Sequence, residues 1–199
     1  MQKFNSGGVE IAYEIWGEGP PILLIHGFAS NRFVNWRDTG WVKALVGAGR
    51  QVIAFDNRGH GQSEKLYDSA HYLAPLMAED AARLLTHLGN SQTDVMGYSM
   101  GARIAAFLVM QRTELVRRVV FAGLAARMIT GVGGSEAIAL ALEAPSAADV
   151  EDRDARGFRL FADQTKSDRR ALAACIRSSR VKITAEALAT IKVPVLVVA

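Results

Sequence analysis

Gly97-Tyr98-Ser99-Met100-Gly101 fits the pattern G-x-S-x-G. So short a pattern arises by chance, and its setting has to carry the weight. A strand-like run, residues 94–97, precedes it, and an apolar helical stretch, residues 100–110, follows directly. A serine on so sharp a strand-to-helix turn takes a strained backbone. Gly97 and Gly101 remove the side chains that would collide there. The turn lifts the Ser99 hydroxyl above the sheet, and it aims the Met100 N–H and the positive end of the helix at an oxyanion forming beside it. The chemistry on offer is nucleophilic attack on a carbonyl. The plainer alternative is a Gly-Ser turn with Ser99 as helix N-cap.

His26-Gly27-Phe28 follows the short apolar run Pro21–Ile25, about seventy residues before Ser99. A strand ending in His-Gly puts bare backbone beside the neighbouring strand's end, and the Phe28 N–H is then free as a second oxyanion donor. Gly27 could equally be only a turn residue and His26 a satisfied core histidine. Residues 56–63, Asp-Asn-Arg-Gly-His-Gly-Gln-Ser, follow another short apolar run. Two glycines there indicate a tight loop that Asp56 and Arg58 can tie down by charge-assisted hydrogen bonds. This loop reads as scaffold, with His60 as catalytic base the minor alternative. His71 and His87 lie near or within a helical stretch and read as packing or surface residues.

The elements that must position these groups alternate. Strand-like segments fall at Val9–Trp16, Pro21–Ile25 and residues 52–55, 94–97, 116–123 and 194–198. Between them lie helical patterns at residues 41–46, around Met77, Ala81, Leu84, Leu85 and Leu88, and at 100–110. Alternation of this kind predicts an α/β fold: a mostly parallel sheet with helices on both faces. It breaks at residues 124–190, an Ala-rich stretch with helical spacing and no convincing strand, which reads as a helical insertion over the sheet. A dinucleotide site is excluded, because Gly131-Val-Gly-Gly follows no strand.

The 199 residues suit one domain, and 50% hydrophobic with 22% charged residues is the balance of a globular chain. No apolar run approaches the ~20 residues of a membrane span. The N-terminal residues lack the pattern of a signal peptide, so a cytoplasmic location is expected. Cys175 is the only cysteine, which excludes an intramolecular disulfide and a thiolate zinc cluster. A net charge of +3 is weak evidence for nucleic acid. The basic stretch 166–182 has no interleaved aromatics and reads as a solvated helix face.

His26-Gly27-Phe28, then residues 56–63, then Gly97 to Gly101 come in the order and spacing of the α/β-hydrolase superfamily. The chain resembles its capped esterase and haloperoxidase-like branch over essentially its whole length. The resemblance implies Ser99 as nucleophile, Phe28 and Met100 as backbone oxyanion donors, and Gly97, Tyr98 and Gly101 as the nucleophile elbow. It also implies a core at 1–123, a helical cap at 124–190 and a return to the core at 191–199. Met128, Ile129, Phe158 and Phe161 are the expected cap residues lining the substrate pocket. No metal or organic cofactor is implied.

In this superfamily the acid and then the histidine follow the serine. Here residues 123–128 offer no carboxylate after their strand, and no histidine follows Ser99. Both missing groups, with one or more further strands, are therefore expected beyond Ala199, and this chain alone is expected to be nearly inactive. The apolar ending VPVLVVA would leave a strand edge open to a companion chain or a second copy. The functional expectation is a serine hydrolase acting on a small ester with a hydrophobic acyl part, with neither nucleic acid nor membrane as partner. C–C bond hydrolysis and cofactor-free perhydrolysis use the same residues, and a non-catalytic binder that kept the fold is the rival of another class.

Overall fold

The computed structural model describes residues 1–199. Seven strands form one sheet: β1 (Gln2–Ser6), β2 (Val9–Trp16), β3 (Pro21–Ile25), β4 (Gln51–Phe55), β5 (Thr93–Tyr98), β6 (Val116–Ala122) and β7 (Val195–Val198). Their order is β1-β2-β4-β3-β5-β6-β7, with β1 and β2 antiparallel to their neighbours and the rest parallel. β1 was not anticipated from sequence. It pairs with β2 through a tight turn at Gly7 and Gly8, whose φ values of 61° and 95° suit glycine.

Three helices pack on the two faces: α1 (Trp41–Gly47), α2 (Ala74–His87) and α3 (Met100–Gln111). The run Pro21–Ile25 shows why both faces need cover. Leu23 and Ile25 join the large core with α2 and α3, whereas Ile22 and Leu24 join a smaller one with Trp36 and Val42 of the α1 side. Strand side chains alternate between faces, so a continuous apolar run serves two cores. Helix α3 is buried on nearly every side; Ile104, Leu108 and Val109 are fully enclosed. Burial of each stabilises the fold by roughly 2 kcal/mol.

Residues 124–190 carry no strand. They form α4 (Arg127–Thr130), α5 (Ser135–Glu143), α6 (Arg153–Gln164), α7 (Arg169–Ser178) and α8 (Ala185–Ala189). Their buried side chains, among them Ile138, Leu142, Leu172 and Ile176, belong to the same core as α2 and α3. Polar contacts fasten this segment to the sheet side: Thr165 Oγ1 to Ala29 O at 3.2 Å, Ser178 Oγ to Ser69 O at 2.6 Å and Tyr67 Oη to Asp168 at 2.9 Å. No helix is long and apolar enough to cross a membrane. β7 pairs with β6 on one side, and its four side chains are each about half exposed.

Buried ion pairs fix the loops. Arg32 is fully enclosed and bonded to Asp56, whose carboxylate also accepts the Gln62 N–H at 2.7 Å. Arg58 makes a two-pronged bond to Asp80 at 2.7 Å for each arm, and Ser6 Oγ donates to the same carboxylate at 2.5 Å. The loop at 56–63 is scaffold, as its residue types suggest.

Asp94 on β5 receives Arg117 through two bonds of 2.8 Å and Arg50 at 2.6 Å, which clamps the strand to its neighbours. Those guanidinium bonds, Arg117 first, hold its carboxyl below the usual carboxylate range. The resulting stability is complete above that range and is lost as pH falls through it to the lower folded value. Asp94→Asn should lower stability at neutral pH by about 1–2 kcal/mol, and the gap from the parent should close below about pH 4. Urea unfolding midpoints of the two proteins across that range check both statements.

Candidate active site

β3 and β5 run parallel with Ile25 opposite Gly97. That register sets His26-Gly27-Phe28 beside Tyr98-Ser99-Met100 at the carboxyl end of the sheet, where open α/β sheets bind ligands. Ser99 stands between β5 and α3 with φ 52° and ψ −113°, a conformation that costs a non-glycine residue about 1–3 kcal/mol. Its N–H donates to Ala122 O at 2.8 Å, which anchors the turn to the end of β6.

The glycines around Ser99 are demanded by space. A Cβ on Gly97 would sit 2.1 Å from Gly101 O, and one on Gly101 would sit 2.0 Å from Ile25 O. A Cβ on Gly27 would lie 3.2 Å from the Tyr98 ring and 3.5 Å from Ser99 Cβ. The two backbones touch. The Phe28 N–H takes no part in the loop and turn hydrogen bonds, and Met100 opens α3, where a helix leaves its N–H groups without internal partners. Both N–H groups are thus left unengaged on the two chain segments that meet at the Ser99 turn. Asn35, unnoticed in the sequence, holds this loop by accepting the Gly27 N–H at 2.9 Å.

Ser99 opens into a cavity of about 1600 Å³ that runs from the helical segment, at Phe158 and Phe161, past the end of the sheet to Trp36 and Trp41 on the α1 side. Gly27, Phe28, Tyr98, Met100, Phe158 and Phe161 line it. Phe28 meets Phe158 edge to face at 5.7 Å. Met100 Sδ lies 3.9 Å from Cys175 Sγ of α7, so the helical segment rests on the turn itself. The other two residues expected in the pocket lie elsewhere. Met128 is buried in the core, and its neighbour Ile129 is exposed. A second cleft of about 950 Å³, lined by polar residues such as Asp168 and Arg177, contains none of these groups.

No histidine lines the Ser99 cavity. His26 is fully enclosed, with Nδ1 against Gly27 O at 2.8 Å and Nε2 accepting the Asn57 N–H at 2.9 Å. His60 is equally buried, with Nδ1 against Arg58 O at 2.9 Å and Nε2 unpartnered. Burial lowers His26 to about 4 and His60 to about 3, the latter with help from His26 nearby. Both are neutral packing residues at pH 7. His87 stacks on Phe4 at 5.3 Å. Asp152 and Asp154 are the carboxylates at the cavity, and Asp152 is engaged in capping α6 through the Ala155 N–H at 2.8 Å. No group of three His, Cys, Asp or Glu side chains is gathered as for a metal ion.

Two outcomes follow from this geometry. Ser99→Gly should raise unfolding stability by about 1 kcal/mol, because glycine adopts this backbone without strain. A thermal or urea midpoint at or below the parent's would contradict the strained turn. The depressed histidines keep the folded protein neutral at positions the unfolded chain protonates below about 6.5. Stability from this source is whole above about 6.5 and lost as pH falls toward 4, by up to about 1.4 kcal/mol per pH unit for each histidine. His60→Phe should flatten that slope by about one proton, measured by denaturant titration at stepped pH.

Comparison with known proteins agrees with this fold. A non-heme chloroperoxidase, CPO-A1, of Kitasatospora aureofaciens is 38% identical over 114 residues, 57% of this chain and 40% of that protein. Epoxide hydrolase B of Mycobacterium tuberculosis is 35% identical over 88 residues, 44% of this chain and 24% of that one. The chain thus spans at most about two fifths of the length of these relatives. Among solved structures, the enol-lactonase from Burkholderia xenovorans LB400 superposes with a TM-score of 0.78, over 98% of this chain and 80% of that one. At 22% identity it speaks for the fold alone. The sequence profile of the alpha/beta hydrolase fold matches residues 20–169. Since that match takes in about three quarters of the 199 residues, the chain belongs to the α/β-hydrolase family.

Proposed function

We propose that the chain carries the nucleophile half of a serine hydrolase acting on carboxylic esters with a hydrophobic acyl part. The observation that carries this reading is the strained Ser99, next to segments with two unengaged N–H groups and lining a cavity together with Phe28, Phe158 and Phe161. Ser99 Oγ attacks the ester carbonyl, its proton passes to a base, and the Phe28 and Met100 N–H groups hold the tetrahedral oxyanion. Collapse expels the alcohol, and water then releases the acid from the acyl-serine by the same route. The base is a histidine, oriented by a carboxylate, and both come from residues outside this sequence. Residues 124–190 act as the cap over the acyl group.

A second reading, cofactor-free perhydrolysis, is favoured by the similarity to the chloroperoxidase CPO-A1. It uses the same acyl-serine with hydrogen peroxide in place of water. The exposed apolar side chains of β7 support pairing of that edge with a strand of a companion chain or a second copy.

A serine without its base reacts slowly, so a fluorophosphonate probe should label the 199-residue chain sluggishly. Added imidazole should accelerate labelling about tenfold or more, with the adduct mapped to Ser99 by mass spectrometry and lost in Ser99→Ala. Turnover of p-nitrophenyl butyrate by this chain at an ordinary enzymic rate, on the order of 10 per second, would show that the base lies within it. No Ser99 adduct with or without imidazole would favour the non-catalytic binder.

A further inference from the structure

Four arginines are buried, and three of them are matched by carboxylates: Arg32 with Asp56, Arg58 with Asp80, and Arg159 with Asp163. Arg103 is the fourth. It is 1% exposed, yet its guanidinium meets only backbone oxygens: Val181 O, Met128 O at 3.5 Å and Arg127 O at 3.5 Å. Arg180, half-buried beside it, donates to Gly133 O and likewise has no carboxylate. Arg127 stands free of any ion pair, and all three line the Ser99 cavity. A buried cation without a counter-charge is costly, and a second cation next to it adds to the cost. Burial and the neighbouring Arg180 both push Arg103 below its ordinary range, the direction a bound anion would reverse.

Position makes this charge useful. Arg103 lies four residues after Ser99, and its N–H donates to Ser99 O at 3.3 Å, so the two share one face of α3 a single turn apart. The cavity's carboxylates, Asp152 and Asp154, stand at the start of α6 and pair with none of these arginines. Most of the remaining wall is apolar, with Phe28, Phe158 and Phe161 facing the same space.

We propose that Arg103, with Arg180 and Arg127, forms an anion subsite in the Ser99 cavity, and that the cavity selects acyl substrates bearing a carboxylate at the end remote from the ester. The substrate assignment rests on the serine hydrolase reading; the subsite itself does not. Arg guanidinium groups take a carboxylate through paired hydrogen bonds, while the aromatic walls take the body of the molecule.

Trp36 and Trp41 line the same cavity, so ligand entry is readable by tryptophan fluorescence. The test titrates the chain with phenylacetate and with its neutral counterpart phenylacetamide. Phenylacetate should bind about tenfold tighter, as expected of hydrogen bonds to charged groups. Arg180→Gln should erode that preference severalfold, Arg103→Gln should abolish it, and Ser99→Ala should leave it intact. Arg103 also straps the helical segment, so if Arg103→Gln does not fold, Arg180→Gln decides. Equal binding of the two probes, or a preference unchanged in the folded arginine variants, overturns the subsite. A phenylacetate preference without a Ser99 adduct keeps the subsite and removes the hydrolase reading, whereas an adduct without a preference does the reverse.

Discussion

Ile25 O lies 2.0 Å from the place where a Cβ on residue 101 would stand, and Gly101 O lies 2.1 Å from the same place on residue 97. The closeness of these backbones is the constraint from which the site follows. Only when α3 starts hard against the end of β3 can the Ser99 turn reach the Phe28 N–H. That approach forces Ser99 into φ 52°, and the strain is held in place because β5 is paired on both sides and α3 is buried almost throughout. A looser junction would relax the serine and separate the two N–H groups.

The buried ion pairs serve the same end. Arg32 with Asp56 and Arg58 with Asp80 tie the 56–63 loop to the chain after β3, to α2 and, through Ser6, to the edge strand β1. Such pairs contribute little net stability against apolar substitutes, yet breaking one leaves an uncompensated charge inside. They hold in place loops that carry two buried histidines and several glycines. His26 and His60 then act as neutral wedges beneath Phe28, which is why neither is free to serve Ser99.

Much of this was legible in the sequence, for identifiable reasons. Strands β2 to β7 and helices α1 to α3 announce themselves through apolar runs and spacing, since both faces of the sheet are covered. The strained turn at Ser99 and its closeness to residues 26–28 are legible because close backbone approach demands glycine at fixed offsets. β1 escaped because QKFNS turns only Phe4 and Ser6 inward, and its strand character depends on pairing with β2. Met128 and Ile129 lie outside the cavity because a single helical turn decides which side chain faces it, and spacing in so short a helix does not reveal the phase. Asn35 left no signal at all. Arg103 did leave one: it is the only charged residue in an otherwise apolar helix.

That lone charge bears on how the cavity divides its labour. One helix has the serine turn at its start, an N–H at its first position and a cation one turn later, so α3 alone fixes the distance from Ser99 to the proposed anion subsite. The positive end of the helix and the Arg103 guanidinium add in sign, which is unfavourable in the empty protein and favourable once negative charge enters. In the proposed reading, a substrate with a fixed negative group meets this field on arrival, and the oxyanion meets it during reaction. The aromatic wall from α6 is indifferent to charge, so it can hold the apolar body between the two without weakening either. In the proposed reading, selection by charge and attack by Ser99 are thus tied to one rigid element, a helix buried on nearly every side.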